Sequence, residues 1–206
     1  IVESMGRHLM GSPFVATTLA AQALITSGSE QQKAHWLAEI AAGAPASVAL
    51  TEEDGNWRLQ EISATAVATG GALILSGTKC FVLDARQAQV VVASVMLEGA
   101  ARLIAIHADQ IPSGALAREV VIDETRRSYT LQLDGISVPQ SQLLAGADFA
   151  ALEQAAMLLL VAEMSGGLAG VLHVIIDYLT TRKQFDQYIG SYQSLKHPSV
   201  QILLSL

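Results

Sequence analysis

The stretch YTLQLDGISVPQSQLLAGADFAALEQAAMLLL, Tyr129–Leu160, holds the junction that decides the fold. Its first half alternates apolar and polar residues about the turn signal Leu133-Asp134-Gly135, the period of a strand buried on one face. From about Asp148 the apolar residues recur every three to four positions, the period of a helix. One long helix is expected from Leu152 to Arg182, with Gly166 and Gly170 four apart so that a neighbouring helix can approach closely. A second is expected to begin near Tyr192 and to be still running at Leu206.

Upstream of the junction, from about Ala46, short apolar runs are separated by turn signals: ASVALT, ISATAV, ALILSGT, CFVL, QVVVASV, RLIAIH and LAREVVID. Their β-branched content and spacing of roughly 8–12 residues predict a small antiparallel sandwich or barrel. Before them the chain reads as helices. FVATTLAAQALITSG is closed by Gly28; SEQQKAHWLAEIAAG opens on Ser29 with Gln32 three residues on, a capping-box pattern, and turns Trp36, Leu37 and Ile40 inward. The expected domains are residues 1–45, 46–146 and 147–206. Helices, then strands, then helices make an α+β chain, and the lack of β-α alternation disfavours a doubly wound fold.

The 206 residues suffice for one good core or two small ones, and with 51% apolar and 15% charged residues the chain is well buried rather than disordered. Twelve basic against 19 acidic residues give a net charge of −7, which argues against a nucleic-acid partner. The single cysteine, Cys80, leaves no internal disulfide or cysteine-based zinc cluster and suits a reducing compartment, so a cytoplasmic location is expected. The opening IVESMGRHLMGS lacks the order of a signal peptide and an initiator methionine, and SVQILLSL stops on an apolar face; both ends read as cut. Gln154 to Ile176 is apolar over the length of a membrane span, but Glu163 lies within it, and a central helix of a soluble bundle is the expected reading.

General motifs decide little. EMSGGLAG, Glu163–Gly170, has Ser165 in place of the first glycine of a dinucleotide loop and no strand before it. The five histidines show no metal-ligand spacing, and no nucleophile elbow, P-loop or calcium loop is present. No metal is expected.

Over essentially the whole chain, the order of segments and several strings resemble the acyl-CoA dehydrogenase family of flavoproteins. SGSEQQKAHWLAEIAAGAPASVALTE resembles the family's stretch leading into its middle β domain. ALTEEDGNW occupies the place of the Thr-Glu-Pro…Gly-Ser-Asp loop, and LSGTKCFVLDA resembles the Gly-x-Lys strand beneath the flavin. LDGISVPQSQLLAG resembles the segment closing the β domain, and TTRKQFDQYIGSYQSLKH the Arg-x-x-Phe-Gly…Gln segment of the C-terminal helices. The resemblance implies N-terminal helices, a middle antiparallel β-barrel or sandwich, and a C-terminal helical bundle present in part. It also implies FAD as cofactor and an acyl-CoA thioester as substrate, oxidised between Cα and Cβ in fatty-acid or other lipid breakdown, a sterol side chain included. A homo- or hetero-oligomer built as a dimer of dimers and an electron-transfer flavoprotein as partner follow from the same likeness. In the family a glutamate removes the α-proton while hydride passes to the flavin.

Carried over by position, Leu50 and Thr51 offer backbone and hydroxyl hydrogen bonds to the isoalloxazine edge, and Phe81 stands where an aromatic residue packs on the ring. Leu83 takes the place of a Thr or Ser beside the flavin and lacks its hydroxyl. Arg182, Phe185 and Gln193 match residues that reach the FAD of a neighbouring subunit, where a guanidinium suits the pyrophosphate. Glu53 replaces a proline, DGNW lacks a serine and puts Asp54 close to an anion, and Asp186 replaces a glycine after Phe185. No catalytic base is assigned: Ala156 stands at one family position for it, with Glu153 and Glu163 on neighbouring turns, and the usual position lies beyond this stretch. Two functions fit, a catalytic FAD-dependent acyl-CoA dehydrogenase subunit and a non-catalytic partner subunit that completes a neighbour's FAD site.

Overall fold

The computed structural model describes residues 1–206. Contacts divide the chain into two units, Ser12–Ala156, rich in strands, and Ile1–Gly11 with Met157–Leu206, which is helical.

The β-rich unit begins with helices α2 (Phe14–Ser27) and α3 (Glu30–Ala41), which follow α1 (Val2–Arg7) of the helical unit. The expected capping box forms: Gln32 N donates to Ser29 Oγ at 3.2 Å and Ser29 N to Gln32 Oε1 at 2.9 Å. Gln32 Nε2 also donates to the carbonyls of Ser141 and Leu143, so the cap anchors a distant loop. Nine strands follow: β1 (Ala46–Ala49), β2 (Thr65–Thr69), β3 (Ala72–Ser76), β4 (Thr78–Leu83), β5 (Val90–Leu97), β6 (Ala100–His107), β7 (Leu116–Arg118), β8 (Ser128–Gln132) and β9 (Ser137–Pro139). One sheet runs β1-β5-β2-β3-β9 with β6 also on β5, and a second runs β4-β8-β7.

The reason β5 and β6 read as continuous apolar runs is that both their faces are covered. Val91, Ala93, Val95, Ile104 and Ile106 join the core with β4 and β8, while Val90, Val92, Leu103 and Ala105 join a second core with Ala20, Leu24, Trp36, Phe149 and Leu152. That second core holds the inward face expected of α3.

Three expectations are corrected in the β-rich unit. The larger sheet is mixed, because β1 pairs with β5 in parallel, as does Thr65 of β2 with Met96. The α2–α3 hairpin precedes β1 and residues 50–89 separate it from β5, which leaves chain enough for a parallel crossover. LAREVVID is a strand only to Arg118, and Val120 and Ile122 are fully exposed. There Glu119 turns its carboxylate toward β4 and β8, and Asp123 Oδ1 accepts from the amide and hydroxyl of Thr125, turning the chain out of the ladder. ISATAV enters its strand only at Thr65, since the amides of Ser63 and Ala64 are held by Glu52.

The helical unit is built on α4 (Phe149–Thr181), whose first turns belong to the β-rich unit, and α5 (Gln193–Leu204), which stops short of Leu206. Gly166 and Gly170 do admit a neighbour. A Cβ on Gly166 would lie 1.8 Å from Glu3 O of α1, one on Gly170 2.5 Å from Arg7 O, and one on Gly6 2.0 Å from Glu163 O. Between α4 and α5 a two-residue hairpin forms that sequence periodicity did not reveal, β10 (Lys183–Gln184) with β11 (Gln187–Tyr188). α4 is long and apolar enough to cross a membrane by length and composition, and much of its apolar surface, including Leu158, Val161 and Val174, is exposed.

Candidate functional site

In the β-rich unit, Leu50, Thr51, Phe81 and Leu83 come together where the end of β1 meets β4. Cys80 N donates to Thr51 O at 2.9 Å, and Thr51 Oγ1 donates back to Cys80 O at 2.7 Å. The β4–β8 register shifts between Lys79 and Val82, a bulge that leaves Phe81 with φ 57° and its ring 52% exposed. A bulged residue has no ladder partner for its amide, and here Glu119 supplies one. Phe81 N donates to both Glu119 oxygens, at 3.1 and 3.2 Å, and the same carboxylate accepts from Ser128 Oγ at 2.5 Å and Thr130 Oγ1 at 2.8 Å. Burial works against the charge on Glu119, but these donors outweigh it and hold the carboxyl below its usual range. Leu83 O accepts from the buried Ser47 hydroxyl at 2.5 Å, and Leu50 O from Ser94 Oγ at 3.4 Å.

Beneath this edge lies a fully buried lysine. Lys79 Nζ reaches Glu52 Oε1 at 2.7 Å and Ser94 Oγ at 2.9 Å. Glu52 also accepts from the amides of Ser63 and Ala64 and from the Ser63 hydroxyl. Burial disfavours its charge, yet Lys79, Ser63 and Ala64 together lower its pKa to about 2. Burial likewise pushes Lys79 below its ordinary value, opposed by the hydrogen bond and charge of Glu52 at 2.7 Å. The pair fixes the β1–β2 connection to the strand that carries Phe81. Glu52, Glu53, Asp54, Ser63 and Thr78 line an open acidic hollow beside it.

Arg182, Phe185 and Gln193 lie in the helical unit. Arg182 follows α4, its guanidinium donates to the Tyr178 hydroxyl, and its carbonyl accepts from Ile189 N at 2.9 Å. Phe185 and Asp186 are the two turn residues of the β10–β11 hairpin, with φ 52° and 59°. Both are in the left-handed region, the requirement of a type I′ turn, where Asn-Gly is preferred and an aromatic residue is strained. The Phe185 ring is 86% exposed at the tip. Tyr192 OH donates to Gln184 O at 3.1 Å and accepts from Gln187 Nε2 at 3.0 Å, bracing the hairpin against the start of α5, where Gln193 is exposed. The expected juxtaposition of Arg182 with Asp186 is therefore that of a hairpin base and its turn.

Of the residues weighed for a catalytic base, Glu153 is exposed on the first turns of α4, Ala156 is half-buried, and Glu163 is half-buried with its backbone against Gly6. Sequence reading missed Glu119, Lys79 and Ser94. The first had a signal, a carboxylate set inside the apolar run LAREVV; the buried partner of Lys79 had none.

No family model matches the chain. Acyl-CoA dehydrogenase FadE12 of Mycobacterium tuberculosis is 29% identical over 203 residues, 92% of this chain and 51% of the relative. Glutaryl-CoA dehydrogenase from Mycobacterium smegmatis superposes with a TM-score of 0.81 at 26% identity, over 92% of this chain and 51% of that one. A variant of the Tcur3481-Tcur3483 steroid ACAD superposes with a TM-score of 0.84 at 26% identity, over 98% and 55%. The chain thus spans about half the length of the curated relatives it matches. In sequence and in fold the chain is similar to the acyl-CoA dehydrogenases, and its own order is helices, a strand-rich part and helices.

Proposed function

We propose that this chain is part of a subunit of an acyl-CoA dehydrogenase assembly in the cytoplasm. The assembly oxidises an acyl-CoA thioester between Cα and Cβ, and passes the electrons to an electron-transfer flavoprotein. FAD supplies the hydride acceptor. The observation that carries this reading is the hairpin at residues 183–188. A non-glycine pair in left-handed backbone, three residues after Arg182, holds a phenylalanine 86% exposed, a strained arrangement of the kind found where a chain grips a ligand. An exposed aromatic ring, a guanidinium and an amide at the head of a helix fit a cofactor carrying both an aromatic system and a pyrophosphate.

The residues of the β-rich unit fit FAD less well, since the Thr51 hydroxyl and the Phe81 amide are already engaged within the chain. That observation favours the second reading, a partner subunit that lends the hairpin to a flavin held elsewhere. The name of one structural neighbour, Tcur3481-Tcur3483, joins two components, and a steroid acyl group is accordingly among the substrates to test.

The test uses the natural full-length protein, alone and co-expressed with candidate partner subunits. Each assembly is assayed for dye reduction with straight-chain, branched and sterol side-chain acyl-CoA thioesters. Turnover in at least one assembly, reduced by Arg182→Ala, is the expected result. Flavin-loaded assemblies inert toward every thioester would refute the reading.

A further inference from the structure

We infer that the β-rich unit of this chain holds no flavin, that Glu119 is the residue closing its flavin-facing edge, and that its partner is an FAD-bearing subunit of different sequence with a donor-rich edge. The inference rests on the assignment of the chain to an acyl-CoA dehydrogenase assembly and goes on to say which subunit carries the cofactor.

The hydroxyls at this edge, and the amide that the bulge frees, are already spent within the chain. Along the polar edge of an isoalloxazine, N1, O2, O4 and N5 are acceptors, and N3 carries the one N–H. A protein edge that seats it must therefore offer N–H and O–H groups. Thr51 has one hydroxyl proton, and at 2.7 Å it goes to Cys80 O, an atom that can only accept. The Cys80 amide returns to Thr51 O. The Phe81 amide, freed from the ladder by the bulge, goes to Glu119. Leu83 offers no side-chain donor, and the Ser47 hydroxyl behind it is spent on Leu83 O.

What the edge presents instead is negative charge. Glu119 is an acceptor-only group while ionised, and the hydroxyls of Ser128 and Thr130 turn toward it rather than outward. Cys80 follows Lys79 in β4 and precedes Phe81; burial first, and then the nearby carboxylates Glu119, Glu53 and Glu52, push its thiol up. An FAD diphosphate, and the anion formed at N1 and O2 when a flavin is reduced, would meet carboxylates where they need cations or N–H groups. The hairpin of the helical unit has the opposite character, with Arg182 and Lys183 at its base and the Phe185 ring exposed.

Flavin counting tests this on the natural full-length protein. Purified alone, it is expected to be colourless; with its partner, it should yield one FAD per unlike pair after denaturation and absorbance measurement. One FAD per polypeptide in a homo-oligomer would overturn the inference while leaving the dehydrogenase reading intact. The paired substitution Glu119→Ala with Leu83→Thr frees the Phe81 amide and adds a hydroxyl, and should raise flavin retention by the protein alone at least about tenfold, the worth of one or two hydrogen bonds. Co-assembly of that variant with the partner verifies that it folds, and a folded variant with no gain would overturn the role given to Glu119. Should the paired variant not fold, the count on the unsubstituted protein still decides the matter.

Discussion

Phe81 and Phe185 are held by the same backbone device in two regions that otherwise differ. Both have left-handed φ, 57° and 52°, and both rings are exposed, 52% and 86%. At Phe81 the conformation is enforced from outside: Glu119 takes the amide, Thr51 and Cys80 lock the preceding residue, and the Glu52–Lys79 pair fixes the strand. At Phe185 it is enforced by a two-residue turn between paired strands, braced through Tyr192. A residue in this region costs on the order of 1–2 kcal/mol, so each region must over-determine it. The difference lies in what is left over. The edge at Phe81 satisfies itself and exposes carboxylates; the hairpin leaves the Phe185 ring exposed, and the Arg182 guanidinium at its base rests on Tyr178.

The largest expected effect on this contrast comes from Lys79→Met. Removing one member of a buried ion pair should destabilise the protein by about 3–5 kcal/mol, because Glu52 is left charged and unpaired. Urea denaturation measures it, and the same experiment on Arg182→Ala should show a change within about 0.5 kcal/mol. Equal losses would mean the hairpin is a structural element and the contrast is false.

The acid side of the stability profile gives a second check. Glu52 has an ordinary pKa of 4.5 and a folded one of about 2, so protons bind the unfolded chain preferentially. Its contribution is therefore complete above about pH 4.5 and is lost as pH falls toward about 2. In Lys79→Met this acid-sensitive limb should shrink, which denaturation midpoints between these pH values will report.

Arg182→Ala is expected to weaken FAD retention by the assembly about 10- to 100-fold, the worth of a charge-assisted contact to phosphate, with little change in melting temperature. Equilibrium dialysis of the assembly against FAD would measure it. The smallest effect belongs to Asp186→Gly. Glycine adopts left-handed backbone without strain, and the change removes a negative charge from the turn above Arg182, so stability should rise by about 0.5–1 kcal/mol and FAD retention a few-fold. A decrease in either would show that Asp186 makes a contact the hairpin needs.

Periodicity was enough to read the helix–sheet–helix order, the capping box at Ser29 and the close-packing glycines of α4, because each depends on residues near one another in sequence. It failed at the parallel pairing of β1 with β5, since a strand buried on both faces carries no record of its neighbour's direction. It failed also at Val120 and Ile122, where an apolar run looked like a strand. For the candidate site, Thr51, Phe81 and Arg182 were legible as residue types at spacings, whereas the hairpin's left-handed pair was not, because neither Phe nor Asp announces a type I′ turn as Asn-Gly would.

By itself, then, the sequence determined which segments are helix and which are strand, and which residue types stand at the points of likeness to a flavoprotein family. Those properties are local, set by side-chain period and turn chemistry. Only the tertiary structure decided where each hydrogen-bond donor is spent: Thr51 on Cys80, Phe81 on Glu119, Lys79 on Glu52, partners 27 to 38 residues apart in the chain. A donor's availability depends on what folds against it, and a string of residue names does not record that.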